Sequence, residues 1–408
     1  MSLDKLAEIS RFYGSNPEYV LAGGGNTSFK NEDILFVKAS GTSLAEATIE
    51  SFVKMDRKAL SMIWEKTYPQ SSEKREKEVL ADLMSARKPT EEQKRPSVEA
   101  LLHDIIPFPF VVHLHPALVN GLCCSQKGEE TAKEIFGDDM LWIPSINPGY
   151  VLSCYVKDAM SEYFSKHNKH VQIILLQNHG VFVGGQCENC INSIYNDVMS
   201  KIGARIKRKP DFSDEIKILS TKDFTRRHVE PAVRGAENAE LGFESTSMHP
   251  DFFEKISLVN NILRDLSGVH SMFMHGSEIS SFVKDQSSFY PISSAFTPDH
   301  IVYSGSDPLF IDTDTETTDT ETVIKNEWDK HTQKTGRNPK IIAVKDLGIF
   351  SAAATEKAAV LALDLFKDTI KVAIYSESFG GPLFMTTDKI DFINNWEVER
   401  FRSSVSIK

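Results

Sequence analysis

Phe108-Pro-Phe-Val-Val-His-Leu-His-Pro116 carries two imidazoles, His113 and His115, one residue apart at the end of an apolar run. In an extended chain alternate side chains leave by the same face, so the two rings point together while Leu114 points into a core. Pro116 has no N–H for a ladder and closes the strand. Two neutral imidazoles converging at a strand end are half of a metal site. One surface histidine and one structural histidine is the plain alternative. Asn178-His179-Gly180 follows a second apolar run, Val171–Leu176, and offers a third imidazole at a strand end. Three histidines with an open fourth position suit a cation acting as a Lewis acid. Arg95-Pro-Ser-Val-Glu99 adds a carboxylate near a helix start. Ser97 is placed to cap that helix, and Glu99 serves either its dipole or a site, as base or ligand. His103 lies four residues on, on the same helix face. It reads as a packing or supporting residue, with a fourth ligand as the alternative.

Two small-residue turns could hold an anion. Gly23-Gly-Gly-Asn-Thr-Ser28 lets backbone N–H groups approach closely and adds Asn26, Thr27 and Ser28 as donors. It grazes a dinucleotide fingerprint, but Ser28 stands at the third glycine, and a strand, Ile34–Lys38, follows where a long helix would be needed. A phosphate or carboxylate cradle is preferred to NAD. Lys38-Ala-Ser-Gly-Thr42 presents Ser40 and Gly41 in a turn, which is also ordinary turn chemistry.

The elements that must position these groups follow from pattern. Leu3–Tyr13 reads as an amphipathic helix, Tyr19–Ala22 as a short strand, residues 56–87 as mostly helical, Val98–His103 as a helix start and Ile191–Ala204 as a helix. At 408 residues with 41% hydrophobic content, the chain has material for two or three domains. A net charge of -11 argues against nucleic-acid binding. Cys187-x-x-Cys190 has no second such pair and is read as ordinary thiols, as are Cys123, Cys124 and Cys154. No secretory leader and no apolar run of bilayer length is expected, so the expected setting is cytoplasmic and free of membrane.

The second half echoes the first. Ile173–Phe182 sets against Ile341–Phe350, with the glycine and the following aliphatic–Phe pair in step and Leu347 in place of His179. A looser echo pairs Met140–Pro144 with His300–Ser304. The predicted organisation is a catalytic unit at 1–205, a connecting segment at 206–245 and a degenerate α/β unit at 246–408 without the metal histidines. The acidic run 312–322 lacks the EF-hand glycine and is read as a solvated loop leading into a helix near Val323.

As an ordered set, Gly25-Asn26-Thr27-Ser28, Ser40-Gly41, Pro96-Ser97-x-Glu99, His113-x-His115-Pro116 and Asn178-His179-Gly180 resemble the class II aldolase/adducin family over about residues 1–205. The string Arg95–His103 is most similar to the aldolase part of bifunctional rhamnulose-1-phosphate aldolase/lactaldehyde dehydrogenase proteins. Thr297–Ile301, Pro308–Asp312 and Leu347–Phe350 are similar to the segment that follows it there, and no dehydrogenase signature appears. The resemblance implies an α/β fold with a class II aldolase-like α/β/α layered sheet and a second, degenerate aldolase-like domain. It implies a divalent metal, most often Zn²⁺, on His113, His115 and His179, with Glu99 as catalytic acid/base. It implies a sugar phosphate held by Gly25, Asn26, Thr27, Ser40, Gly41 and Ser97, in a carbon–carbon lyase that forms homo-oligomers. Fuculose-phosphate aldolase-like members carry a second serine where this chain has Val98, so one phosphate donor is missing. Epimerisation of a pentulose phosphate, aldol or decarboxylation chemistry on an oxo-acid, and a non-catalytic adducin-like module are the alternatives.

Overall fold

The computed structural model describes residues 2–219, 250–267, 270–314, 319–398 and 401. Seven strands form the first sheet: β1 (Asn26–Lys30), β2 (Ile34–Lys38), β3 (Phe52–Asp56), β4 (Phe110–Leu114), β5 (Met140–Ile143), β6 (Ile173–Leu176) and β7 (Gly180–Gly185). Their order is β3-β2-β1-β4-β7-β6-β5, antiparallel except for β5 beside β6. The histidine strand β4 therefore lies at the centre. Its Phe110, Val112 and Leu114 face one layer, with Leu6, Val119 and Tyr195 from helices Ser2–Gly14, Ala117–Cys123 and Glu188–Gly203. Val111 faces the opposite layer, with Leu102, Leu152 and Val156. His113 points the same way and stacks on Phe182, ring centroids 3.9 Å apart. The strand alternation inferred for Leu114 and the two histidines is thus present, in an α/β/α arrangement.

Two local expectations differ. Tyr19–Ala22 is not a strand; the strand begins at Asn26, after the glycines. The helix expected from Val98 begins at Ala100 and runs to Ile105, so Ser97 precedes the cap position and Glu99 occupies it. Ser97 Oγ still accepts from the Glu99 N–H at 3.2 Å. Cys187 and Cys190, expected as thiols, are half-buried and paired as a disulfide at the start of helix Glu188–Gly203. Cys187 occupies the cap position, which brings its sulfur back toward Cys190.

The second sheet comprises β8 (Ile216–Leu219), β9 (His270–His275), β10 (Leu309–Ile311), β11 (Ile341–Val344) and β12 (Gly348–Ala353), in the order β10-β11-β12-β9-β8. Read in reverse, this repeats β1-β4-β7-β6-β5 of the first, including the one parallel pair. The hairpins match residue for residue. Leu176 opposes Gly180, Val344 opposes Gly348, and the turn residues Asn178 and Asp346 share left-handed backbone at φ 60° and 55°. His113 opposes Phe182 as Phe273 opposes Phe350, so β9 carries Phe273 and His275 where β4 carries His113 and is followed by Leu114 and His115. The degenerate unit keeps one histidine of three; Phe273 and Leu347 replace the others. His275 Nδ1 is held by the Leu347 carbonyl at 2.8 Å.

Two further expectations are corrected. Strand β8 lies inside the segment read as a connector, because it pairs with β9 and opens the second sheet before residue 246; residues 220–249 lie outside the described residues. The counterpart of β5 is β10, since Leu309 opposes Ile342 as Leu141 opposes Ile174. His300–Ser304, set against β5 on its apolar pattern, is a π-helical turn. In the acidic run, Asp312 and Asp314 pair with Lys345, Asp319 caps helix Thr320–Thr335, and 315–318 lie outside the described residues.

The halves meet along helix Ala117–Cys123 and helix Glu356–Ser376. Ala117 and Cys124 belong to the same apolar cluster as Phe366, Ile370 and Tyr375. Gly121 makes the close approach possible, for a Cβ there would lie within contact distance of Tyr375 Cβ.

Candidate metal centre and cleft

His113 and His115 end the central strand, and His179 sits on the turn between β6 and β7, just across from them. Each of the three offers a ring nitrogen within 4.8 Å of the others, the sole grouping of that kind among the described residues. The hydrogen-bond partners fix which nitrogens are free to ligate. His113 Nδ1 lies 3.0 Å from the Val181 carbonyl, which can only accept, so the proton is on Nδ1. His115 Nδ1 lies 2.6 Å from Asp299 Oδ2, and a carboxylate likewise accepts. In neutral rings both Nε2 atoms then carry the lone pairs, and they face each other at 2.9 Å. Two facing acceptors repel unless a cation lies between or beside them. Burial pushes the pKa of His179 down to about 3, against the opposing pull of Glu99, so its ring is neutral and can ligate. The donor set therefore fits a divalent metal of the zinc type.

Glu99 completes the group. Its Oε1 lies 3.5 Å from Nε2 of both His113 and His179. That oxygen is buried with no hydrogen-bond partner, an arrangement that normally costs stability and marks a group kept for a ligand. Its Oε2 accepts from Asn26 Nδ2 at 2.6 Å. Asn26 Oδ1 in turn accepts from His103 Nε2, and Ser28 Oγ donates to His103 Nδ1 at 2.6 Å. Burial holds the His103 pKa well below the ordinary value, consistent with this neutral tautomer. The chain Ser28–His103–Asn26–Glu99 locks the carboxylate from behind. Thus His103 supports and does not ligate.

In front of this group lies a cleft that takes in Gly25, Asn26, Ser40, Gly41, Ser97, Glu99, His115 and His179. Gly25 and Gly41 have φ of 65° and 86°, and a Cβ on Gly25 would lie 2.8 Å from the His113 carbonyl. Glycine is what lets that loop pass the histidine strand. Thr27 is the exception among the predicted residues. It is fully buried on the other face of β1, its hydroxyl 2.6 Å from Ser10 Oγ. Strand alternation sends Asn26 and Ser28 toward the site and Thr27 away, so Thr27 does not reach the cleft.

Six lining residues were not assigned a binding role from sequence: Gly23, Lys38, Val98, Pro148, Pro298 and Val398. Lys38 was legible in principle, as the last residue of β2, two before Ser40. Pro148, Pro298 and Val398 carried no signal, and the last two belong to the second half. Val98 packs against an apolar cluster of that half, with Ile301 and Val398. Asn178 is also tied to it, donating to the Leu383 carbonyl at 2.8 Å. The Arg95 guanidinium forms a two-point pair with Glu397 at 3.0 and 2.7 Å. No described helix is long and apolar enough to cross a membrane.

Residues 4–192 match the family model of the class II aldolase and adducin N-terminal domain. The chain is 24% identical over 333 residues to an uncharacterized oxidoreductase, YuxG, of Bacillus subtilis strain 168. That alignment takes in 78% of this chain and 43% of YuxG, so the chain spans less than half of the relative's length. Among solved structures, the N-terminal class II aldolase domain of a conserved protein from Thermoplasma acidophilum is similar at 26% identity. The match covers 50% of this chain and 93% of that one, with a TM-score of 0.42. L-fuculose-1-phosphate aldolase from Thermus thermophilus is similar at 16% identity, over 49% of this chain and 90% of that one, TM-score 0.31.

Proposed function

We propose that the class II aldolase and adducin domain at residues 4–192 catalyses metal-dependent retro-aldol cleavage of a ketose 1-phosphate. The products would be dihydroxyacetone phosphate and a short aldehyde. Rhamnulose 1-phosphate, which yields lactaldehyde, is the leading candidate, on the resemblance of Arg95–His103. One observation carries the reading: the buried Glu99 Oε1, without a hydrogen-bond partner, faces Nε2 of His113 and of His179 beside a cleft lined by small donors.

His113, His115 and His179 would hold a divalent cation, zinc by the donor set, which would supply Lewis-acid stabilisation of the negative charge that develops as the C3–C4 bond breaks. Glu99 Oε1 would move the proton to or from C3 of the ketone fragment, while Asn26 holds Oε2 and so aims the other oxygen. Gly25, Ser40, Gly41 and Ser97 bind the phosphate. No lysine Schiff base is needed.

A second reading draws support from Val98 and Val398. Both line the cleft, Val98 next in sequence to Ser97, and apolar groups among the donors favour an oxo-acid, whose carboxylate needs fewer donors. A pentulose-phosphate epimerase would share the bond cleavage and differ in product. The test is product identification on a panel of ketose phosphates and oxo-acids, before and after complete metal removal. Cleavage should vanish on metal removal and in His113→Ala. Turnover that survives either change refutes the aldolase reading, and turnover of oxo-acids alone replaces it with the second.

A further inference from the structure

We infer that Asp299, from the second half, is a positioning residue of the first half's metal centre, holding His115 in the tautomer that can ligate. Its Oδ2 lies 2.6 Å from His115 Nδ1, and both side chains are nearly inaccessible, at 6% and 9% exposure. The contact is built for. A Cβ on Gly24 would lie 2.6 Å from Asp299 Oδ2, so only glycine leaves room for the carboxylate to arrive.

The need for it follows from the 2.9 Å between the Nε2 atoms of His113 and His115. His113 already carries its proton on Nδ1, toward the Val181 carbonyl. Without Asp299, His115 is free to carry its own proton on Nε2 and donate it to His113 Nε2. The two ligand atoms would then satisfy each other and close the site. The Asp299 carboxylate opposes that collapse by holding the proton of the neutral ring on Nδ1, which leaves Nε2 as the ligating atom.

The two units differ in length around this residue. Through helix Ser277–Phe282 the second unit follows the first at a shift of 160, His275 against His115; from Leu309 onward the shift is 168, Ile342 against Ile174. The extra eight residues lie between Phe282 and Leu309, and Asp299 is among that stretch. It is followed directly by the π-helical turn His300–Ser304, the kind of helical irregularity that often accompanies a functional position. The degenerate unit has lost a site of its own and lends a residue to its neighbour's.

This rests on the metal reading above, and the experiment separates the two. The full chain, stripped of metal, is titrated with Zn²⁺ against a chromophoric chelator, as wild type, Asp299→Asn, Asp299→Ala and Glu397→Gln. The ring nitrogens of His115 are followed by ¹⁵N NMR in the metal-free protein. Loss of Asp299 should weaken zinc about 10- to 100-fold and move the His115 proton from Nδ1 to Nε2. Glu397→Gln breaks a different contact between the halves and should leave both readouts unchanged. Asp299→Asn is close to isosteric and decides the question if the alanine variant does not fold. Unchanged zinc affinity in Asp299→Asn, an unchanged tautomer, or an equal loss in Glu397→Gln overturns the assignment alone. A wild type that binds no zinc overturns the metal reading with it.

Discussion

Replacing Gly121 by alanine tests whether the two halves are packed as tightly as the structure has them. The added Cβ would fall within contact distance of Tyr375 Cβ and 3.3 Å from its Cα and carbonyl carbon. Carbon atoms prefer about 3.5–4.0 Å, and none of these three can swing aside on a rotamer. Helix Ala117–Cys123 must therefore retreat from helix Glu356–Ser376, at a cost of about 1–3 kcal/mol for overpacking. Gly→Ala inside a helix also brings a gain, up to about 1 kcal/mol. Gly203→Ala, at the last residue of helix Glu188–Gly203, serves as the clash-free control: a Cβ there meets only Leu118 Cδ2, at 3.8 Å. The difference between the two variants then carries the overpacking term. The assay is urea unfolding, read as a shift in midpoint at unchanged slope. Gly121→Ala should be less stable than wild type and Gly203→Ala slightly more. Because helix Ala117–Cys123 begins two residues after His115, the same retreat should pull His115 from Asp299 and weaken metal binding. Equal stability of the two variants would refute the packing argument.

Thr27→Val should cost about 1 kcal/mol, the worth of a typical hydrogen bond, through its lost bond to Ser10. It should leave KM for the cleaved substrate within about twofold, whereas Ser97→Ala raises KM; steady-state kinetics on the two variants decide it. Burial holds the pKa of Lys30 down to about 7, its Nζ donating to the His103 carbonyl at 2.6 Å. The unfolded chain, with an ordinary lysine near 10.4, binds more protons between those values, so this group makes the fold more stable as pH rises through that window. Lys30→Met should flatten the pH 7–10 limb of the unfolding midpoint, and a limb unchanged in slope would show that Lys30 stays charged.

What could be read from the chain was whatever repeats with a period. β2 was delimited to the residue, because Ile34–Lys38 is an apolar run bounded by turn formers, and β4 lies within the apolar run that Pro116 closes. The His113/His115 pair was legible because alternation is enough to place both on one face. β1 was missed because its face is polar. Asn26, Thr27 and Ser28 are all buried, but each finds a side-chain partner, and a strand satisfied by hydrogen bonds has no hydrophobic signature. Thr27 was then misassigned with its neighbours, since a cradle motif does not say which of its residues turn inward. His300–Ser304 failed the other way: an apolar pattern fits a strand or a buried helical turn equally well. The Asp299 contact joins residues 184 apart, and no local pattern encodes a meeting at that distance.

That separation also has a meaning in time. A ribosome adds about 5–20 residues each second, so roughly ten to forty seconds pass between synthesis of His115 and of Asp299. Throughout that interval the central strand and the His179 turn can form without the carboxylate that sets His115. On the proposed role of Asp299, the nascent first half would capture metal weakly and tighten on it only when the second sheet docks. Metal retention would then report that the whole chain has been made and has closed on itself.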